Sequence, residues 1–145
     1  MQLNDEWHSL LPKTDKGNLL RNKYRLFYGF EFESRWYAVA MWTSPIAQNR
    51  LSFPAIELRR LAICEEAPKN TATRMLRLMR EDIKKRHPEL QRAISYQAEE
   101  HHHGTIYKAD NWKAAAHSNY SDWHPDKDRN KEQTRSGKVR WERFL

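Results

Sequence analysis

The fold is decided by residues 56–97, which read IELRRLAICEEAPKNTATRMLRLMREDIKKRHPELQRAISYQ. Ile56–Ile63 alternates apolar and charged residues, as a strand with one buried face does. From Thr71 to Arg86 apolar residues recur every three or four positions, which predicts an amphipathic helix that ends before Pro88. Glu89–Gln97 predicts a second strand, and a helix joining two strands of one sheet forms a right-handed crossover unit. The solvated face of the helix is expected to be basic, with Arg74, Arg77, Arg80, Lys84 and Lys85.

The residues before this unit predict more sheet. Tyr24–Phe32 (YRLFYGFEF) and Arg35–Trp42 (RWYAVAMW) are aromatic and β-branched runs separated by Glu33-Ser34, which favours a β-hairpin. Residues 98–112 predict a loop with one or two helical turns. The predicted class is therefore α+β (α/β), in which a mixed central sheet has antiparallel N-terminal strands and a β-α-β-α C-terminal half.

A chain of 145 residues is long enough for one domain with a sizeable core. We expect this domain to span residues 1–113. Residues 114–145 are expected to form a polar, basic and partly flexible tail, because they show little apolar periodicity. Only the final residues break this pattern, and Val139, Trp141 and Phe144 are candidates for a short element that docks on the sheet.

The charge balance points to a polyanionic partner. Lys and Arg number 26 against 19 Asp and Glu, a net charge of +7, which favours nucleic acid. A basic protein without such a partner is the alternative. No apolar run is long enough to span a bilayer and the first residues lack signal-peptide features, so a cytoplasmic protein with no membrane partner is expected. A single cysteine, Cys64, excludes an internal disulfide and a cysteine metal cage.

Several side chains are candidates for a site on chemical grounds alone. Glu57 is a possible base or metal ligand, and an ion pair within the sheet is its competing explanation. Arg60 suits substrate or phosphate binding. In a regular strand these two residues lie on opposite faces, so they share a pocket only if the strand contains a bulge. Ser95 can position substrate or donate a hydrogen bond to a developing anion.

The run His101–His103 raises the question of a metal site. Consecutive side chains point in different directions, so they cannot all bind one ion in regular backbone. One of them together with His8 and a carboxylate such as Glu57 would suit iron or zinc. A solvated loop is the alternative for this run.

Short motifs follow one another along the chain: Trp7–Ser9 (WHS) with Pro12, Glu57–Leu61 (ELRRL), Ala67–Ala72 (APKNTA), Ser95–Gln97 (SYQ) and Gly104–Ala109 (GTIYKA). They resemble the Mom family, a group of phage DNA-modification proteins with a GNAT-like acyltransferase fold. The resemblance extends over about residues 7–113, and its most specific part runs from Ser95 to Trp112.

This resemblance implies an enzyme encoded by a phage or prophage. Mom-type proteins add a carbamoylmethyl group to N6 of adenine in double-stranded phage DNA, which protects that DNA from restriction in the host cytoplasm. Two other functions stay open. One is an acyl-CoA-dependent N-acyltransferase acting on a small amine or a protein, and the other is an inactive GNAT-fold module that binds DNA.

The resemblance also implies roles for single residues. Tyr107 stands where GNAT enzymes often place a tyrosine that protonates a leaving group, although the ring can equally pack in the core. Family members commonly carry an aspartate three residues after the serine of the SYQ motif. This chain has Ala98 there, and Glu99 is the candidate substitute. His102 corresponds to a histidine of the family, and His8 is a candidate for substrate and metal binding.

The donor is the least defined part of the expected reaction. GNAT enzymes hold the coenzyme A pyrophosphate at a glycine-rich turn before a helix, where backbone amides approach the phosphates closely. The equivalent segment here, Pro68–Thr73, contains no glycine. Lys69 and Arg74 can neutralise phosphate and Thr71 can donate a hydrogen bond. The donor is therefore expected to be acetyl-CoA or another molecule.

Overall fold

The computed structural model describes residues 21–46, 48–98, 104–118 and 137–145. Within these ranges six strands form one mixed sheet in the order β1-β2-β3-β4-β6-β5. The elements are β1 (Arg25–Phe32), β2 (Arg35–Thr43), a 3-10 turn (Gln48–Arg50), β3 (Ala55–Ile63), α1 (Thr71–Arg86), β4 (Arg92–Ala98), α2 (Thr105–Ala109), β5 (Lys113–Ser118) and β6 (Lys138–Phe144). The predicted α+β class is confirmed, with antiparallel β1–β3 and a parallel pair β3–β4.

The hairpin and the crossover helix follow from local sequence signals. Glu33 and Ser34 both have positive φ (49° and 61°), as a two-residue type I′ hairpin turn requires. Helix α1 has the predicted bounds. It begins after Asn70 and ends at Arg86, because His87 precedes Pro88 and a helical residue before a proline clashes with its ring.

The core lies between α1 and one face of the sheet. Met75, Leu76, Met79 and Ile83 of α1 are buried in the same apolar cluster as Trp42, Ile56 and Leu58 of the central strands. The Trp42 indole N–H is 3.1 Å from the sulfur of Met79. Each large apolar side chain buried in this way stabilises the fold by roughly 1.5–3 kcal/mol. This packing fixes α1 on the sheet face that carries Trp42 and Leu58.

The end of the chain forms part of the same sheet. Strand β6 lies between β4 and β5 and is antiparallel to both. Val139 and Trp141 dock on the sheet as expected and are 7% and 6% exposed, whereas Phe144 is 69% exposed. Both β5 and β6 belong to the part of the sequence that was expected to be a tail. No helix in the described ranges is long and apolar enough to cross a membrane.

Candidate functional site

Strands β3 and β4 separate towards their carboxyl ends. Their parallel pairing runs from Ala55↔Arg92 to Leu58↔Ser95, although β3 continues to Ile63 and β4 to Ala98. We call the opening beyond the last pair, between residues 59–63 and residues 96–98, the fork. Carboxyl ends of neighbouring parallel strands that diverge are the usual ligand position in open α/β sheets. The fork is therefore the candidate site.

Two neutral hydroxyl groups meet at the apex of the fork. The Ser95 hydroxyl donates to the carbonyl oxygen of Leu58 at 3.4 Å, and Ser95 Oγ lies 2.8 Å from Tyr107 Oη. A carbonyl oxygen can only accept a hydrogen bond, so Ser95 uses its proton there. Tyr107 consequently donates to Ser95. Ser95 is 2% exposed and Tyr107 is 9% exposed, which keeps both groups away from bulk water.

Aromatic packing sets the position of the Tyr107 ring. It stacks on Trp141 at 5.5 Å between centroids and 14° between planes, and it meets Trp112 edge to face at 5.4 Å. Burial raises the pKa of the Tyr107 phenol above its ordinary value. Tyr107 therefore keeps its proton at neutral pH. A neutral phenol in a dry site is suited to proton donation.

A buried ion pair holds α2 against α1. Arg80 binds Asp110 with two hydrogen bonds of 2.8 and 2.7 Å, and the Trp112 indole N–H donates to the same carboxylate at 2.7 Å. Such bidentate pairs are geometrically specific. The expectation that Arg80 lies on the solvated basic face is wrong, because it is only 8% exposed. It lies beside the apolar stripe, and its partner is 30 residues away in sequence.

Glu57 and Arg60 share the opposite face of the sheet. The pairing of β2 with β3 shifts from Met41↔Arg60 to Trp42↔Leu58, so Arg59 is an extra residue in β3. A bulge of this kind changes the side-chain alternation by one position. Strand β3 therefore contains the bulge that Glu57 and Arg60 need in order to share a pocket. Both side chains lie on the face away from α1.

Glu57 is a carboxyl group with little access to water. Burial raises its pKa, and the Arg59 guanidinium together with the Ile46 N–H lowers that pKa in part. The Arg59 guanidinium is 3.6 Å from the carboxylate, and the Ile46 N–H donates to it at 3.3 Å. The expected ion pair is thus present beside the possible base. A carboxyl with a raised pKa is the better proton acceptor near neutral pH.

The start of α1 offers backbone amides. The first intrahelical bond runs from the Arg74 N–H to the carbonyl of Asn70, which leaves the amides of Ala72 and Thr73 at the open end of the helix. The Thr71 hydroxyl donates to the Pro68 carbonyl and Thr71 is buried. An anion at this end would therefore meet backbone amides and the exposed side chains of Lys69 and Arg74.

The structure describes only some of the predicted site residues. His8, Glu99 and His102 lie outside the described residues, so their roles and the metal site stay predictions. Among the described residues no group of three His, Cys, Asp or Glu side chains is placed to hold a metal ion. Ala98 is the last residue of β4.

Two further residues, Gln97 and Gly104, line this region and were not predicted as site residues from the sequence. The Trp141 indole N–H donates to the Gln97 side chain at 2.7 Å. Gly104 has φ of 68°, and a Cβ there would lie 2.3 Å from Trp141 Cζ2. Gln97 follows Ser95 by two positions and so shares its face of the strand, which is the signal that would have found it. These contacts keep Trp141 under the Tyr107 ring.

Solved structures that are similar to this chain include several acetyltransferases. The ribosomal-protein-S18-alanine N-acetyltransferase from Escherichia coli is 11% identical, with 98% of this chain and 83% of that chain covered and a TM-score of 0.67. A GNAT family acetyltransferase from Elizabethkingia anophelis with acetyl-CoA bound is 11% identical over 89% of this chain and 80% of that chain, with a TM-score of 0.57. Aminoglycoside acetyltransferase AAC(6')-Ib in complex with coenzyme A is 10% identical over 88% and 70%, with a TM-score of 0.63. The chain thus has a GNAT-like fold.

The sequence of this chain was also compared with curated proteins and with profiles of protein families. No curated protein matches the chain significantly. The profile of the Mom protein family matches residues 34–144, a range that includes β2, the fork, both helices and β6. The chain belongs to the Mom protein family.

Proposed function

We propose that this protein is a transferase that modifies N6 of adenine in double-stranded DNA, adding the carbamoylmethyl group that the resemblance to Mom-type proteins implies. The observation that carries the proposal is the Tyr107–Ser95 pair at the apex of the fork, 2.8 Å apart and buried. Membership of the Mom family supports DNA as the proposed substrate class. The pair supplies a proton donor where a transferred group would lose its leaving group.

The proposed chemistry assigns an acid and a base to the two faces of the sheet. A bond forms between adenine N6 and the carbon of the transferred group, and the bond from that carbon to its leaving group breaks. Tyr107 gives its proton to the leaving group. Glu57 takes the proton that N6 loses, which its raised pKa favours. Afterwards Tyr107 takes a proton from solvent and Glu57 releases one to solvent, which returns both residues to their resting state.

An acyl-CoA donor fits part of the site. When bound, an acyl-CoA would supply an activated thioester, with coenzyme A as the leaving group. The open amides of Ala72 and Thr73 and the side chains of Lys69 and Arg74 match the charge of its phosphates. The absence of glycine from residues 68–73 limits how closely a pyrophosphate can approach that backbone. Acetyl-CoA would transfer an acetyl group, whereas transfer of a carbamoylmethyl group requires another donor that carries this group with a leaving group on its methylene carbon.

Double-stranded DNA is the proposed partner, in the cytoplasm of a bacterial host. The net charge of +7 supports it. Within the described residues the exposed face of α1 adds Arg74, Arg77, Lys84 and Lys85. Contacts of this kind are made to phosphates, so binding is expected to weaken steeply with added salt.

An acyl-CoA-dependent N-acyltransferase is the second candidate. It is favoured by the likeness in fold to acetyltransferases with acetyl-CoA or coenzyme A bound. Stoichiometric binding of coenzyme A measured by calorimetry, lost in Lys69→Ala/Arg74→Ala, would support it. A third candidate, a DNA-binding module without activity, is suggested by Ala98 at the position of the family's aspartate.

The deciding experiment is mass spectrometry of nucleosides from plasmid DNA after expression of the protein in bacteria. A new adenine nucleoside with the added mass of a carbamoylmethyl group is expected. It should be missing from cells that carry the empty vector or the Tyr107→Phe variant. Unmodified nucleosides beside confirmed soluble protein would refute DNA modification. Salt-sensitive DNA binding in that case would favour the inactive module.

A further inference from the structure

An apolar cavity lies on the β1–β2 hairpin. Its volume is about 260 Å³, and Phe27, Trp36, Val39 and Met41 line it. We call it the hairpin cavity. Phe27 and Trp36 are large aromatic residues, yet they are 53% and 48% exposed. A Cβ on Gly29 would lie 1.7 Å from a ring carbon of Trp36. The indole can therefore pack against β1 only because residue 29 is a glycine.

The strand register places the hairpin cavity beside Arg60 and Glu57. Phe27 pairs with Met41, and Met41 pairs with Arg60, so the three side chains form one row across β1, β2 and β3. Directly paired residues point to the same face, and neighbouring strands are about 4.8 Å apart. The backbones of Phe27 and Arg60 are thus separated by about 10 Å. Met41 adjoins Trp42, which faces α1, so this row lies on the other face.

The next row on this face adds charge. Thr43 pairs with Arg25 on one side and with Glu57 on the other. Arg25 and Arg60 therefore flank the aromatic surface, one on the strand of Phe27 and one across the sheet. Arg60 is only 9% exposed, so the exposed Arg25 is the arginine at the margin of the apolar cavity, and this combination matches a flat heterocycle that carries a phosphate backbone.

We propose that the hairpin cavity receives the unpaired adenine base of a DNA strand, stacked on Trp36 and Phe27. This inference rests on the proposed function and adds the place where the base is held. An enzyme that acts on a base in a duplex takes it out of the stack and reads it between aromatic side chains. The volume is just below the range for drug-sized ligands, which suits one base rather than a peptide helix.

The test compares two labelled duplexes by fluorescence polarisation. One contains an adenine opposite an abasic site, and the other is fully paired. An unpaired adenine costs less to extract, so wild-type protein should bind the first duplex more tightly. Trp36→Ala and Phe27→Ala should each reduce this preference about fivefold or more while binding the paired duplex as wild type does. Trp36→Phe should retain most of the preference.

Phe32→Ala is the matched control. Phe32 is 54% exposed on the same strand as Phe27, but the odd spacing between them places it on the opposite face. This variant should keep the wild-type preference. Thermal melting of all variants checks that each one is folded.

The outcomes separate this inference from the function on which it rests. Equal binding of the two duplexes by wild-type protein would overturn the hairpin cavity as a base site and leave DNA modification intact. Binding of neither duplex would overturn both proposals. A dimer in sedimentation that Trp36→Ala dissociates, with the base preference unchanged, would show that the cavity is a contact between copies and would also overturn the inference.

Discussion

Replacing Tyr107 with phenylalanine removes one hydroxyl group and leaves the ring on Trp141. Ser95 then loses the donor at 2.8 Å and keeps only its own bond to the Leu58 carbonyl at 3.4 Å. A net loss of about 1 kcal/mol in the free energy of unfolding is expected for one such buried hydrogen bond. The effect on the reaction should be larger, because general acid catalysis contributes about 10²–10⁴-fold, or roughly 3–5 kcal/mol of the barrier.

The assay is the fraction of modified adenine in plasmid DNA, normalised to the soluble protein and measured beside a urea unfolding curve. Tyr96→Phe is the matched control, since Tyr96 adjoins Ser95 on β4, is 39% exposed and points to the other face. It should keep both activity and stability. Wild-type turnover in Tyr107→Phe, with an unchanged unfolding curve, would remove Tyr107 from the mechanism. Loss of both activity and folding would instead assign the hydroxyl to packing.

Three further changes test the electrostatics and packing around the site. Glu57→Gln should lower activity and raise the melting temperature at pH 8. A carboxyl with a raised pKa contributes stability below pH 4.5, and this stability is lost as pH rises through that pKa. An equal difference in melting temperature between variant and wild type at pH 5 and pH 8 would contradict this. The Tyr28 phenol donates to Asp82 at 2.7 Å and has a pKa raised to about 12, mainly by burial, so part of the stability should be lost between pH 10 and 12. Tyr28→Phe should remove that loss from the pH dependence of chemical unfolding. Gly104→Ala places a Cβ 2.3 Å from Trp141 at a residue with φ of 68°. It should lower the free energy of unfolding by roughly 1–3 kcal/mol, and it should lower activity because it moves the Trp141 ring that stacks on Tyr107. A wild-type unfolding midpoint would refute this prediction.

Local patterns were sufficient for the elements whose signal is continuous in sequence. The bounds of α1 are as predicted because an apolar stripe, a following proline and a preceding turn all agree over residues 71–86. The β1–β2 hairpin follows from two aromatic runs and a two-residue gap. Strand β5 could not be predicted, because Lys113–Ser118 reads KAAAHS and shows almost no alternation of apolar and polar residues. Its place in the sheet comes from pairing with β6, about 25 residues later in the chain.

The candidate site was predictable as separate residues but not as contacts. Ser95 and Tyr107 were identified from chemistry and from the family resemblance. Their contact depends on where α2 begins, which the ion pair between Arg80 and Asp110 and the packing of Trp141 determine. Arg80 was misassigned because a charged residue beside an apolar stripe reads as solvated unless its partner is known. The bulge at Arg59 likewise arises from the register with β2, which no local pattern encodes.

In the proposed mechanism the two faces of the sheet separate an acid from a base. Tyr107 lies among aromatic rings on the helix face, whereas Glu57 lies beside Arg59 on the other face, and only the fork interrupts the sheet between them. If a phenol and a carboxylate were in direct contact, they would hydrogen-bond to each other and neither would be available to substrate. Their separation means that no proton passes directly between the two groups: Tyr107 protonates the leaving group on one face, and Glu57 accepts the N6 proton on the other. In the proposed mechanism DNA and donor would therefore approach from opposite faces, and mutations that close the fork should abolish transfer without weakening DNA binding.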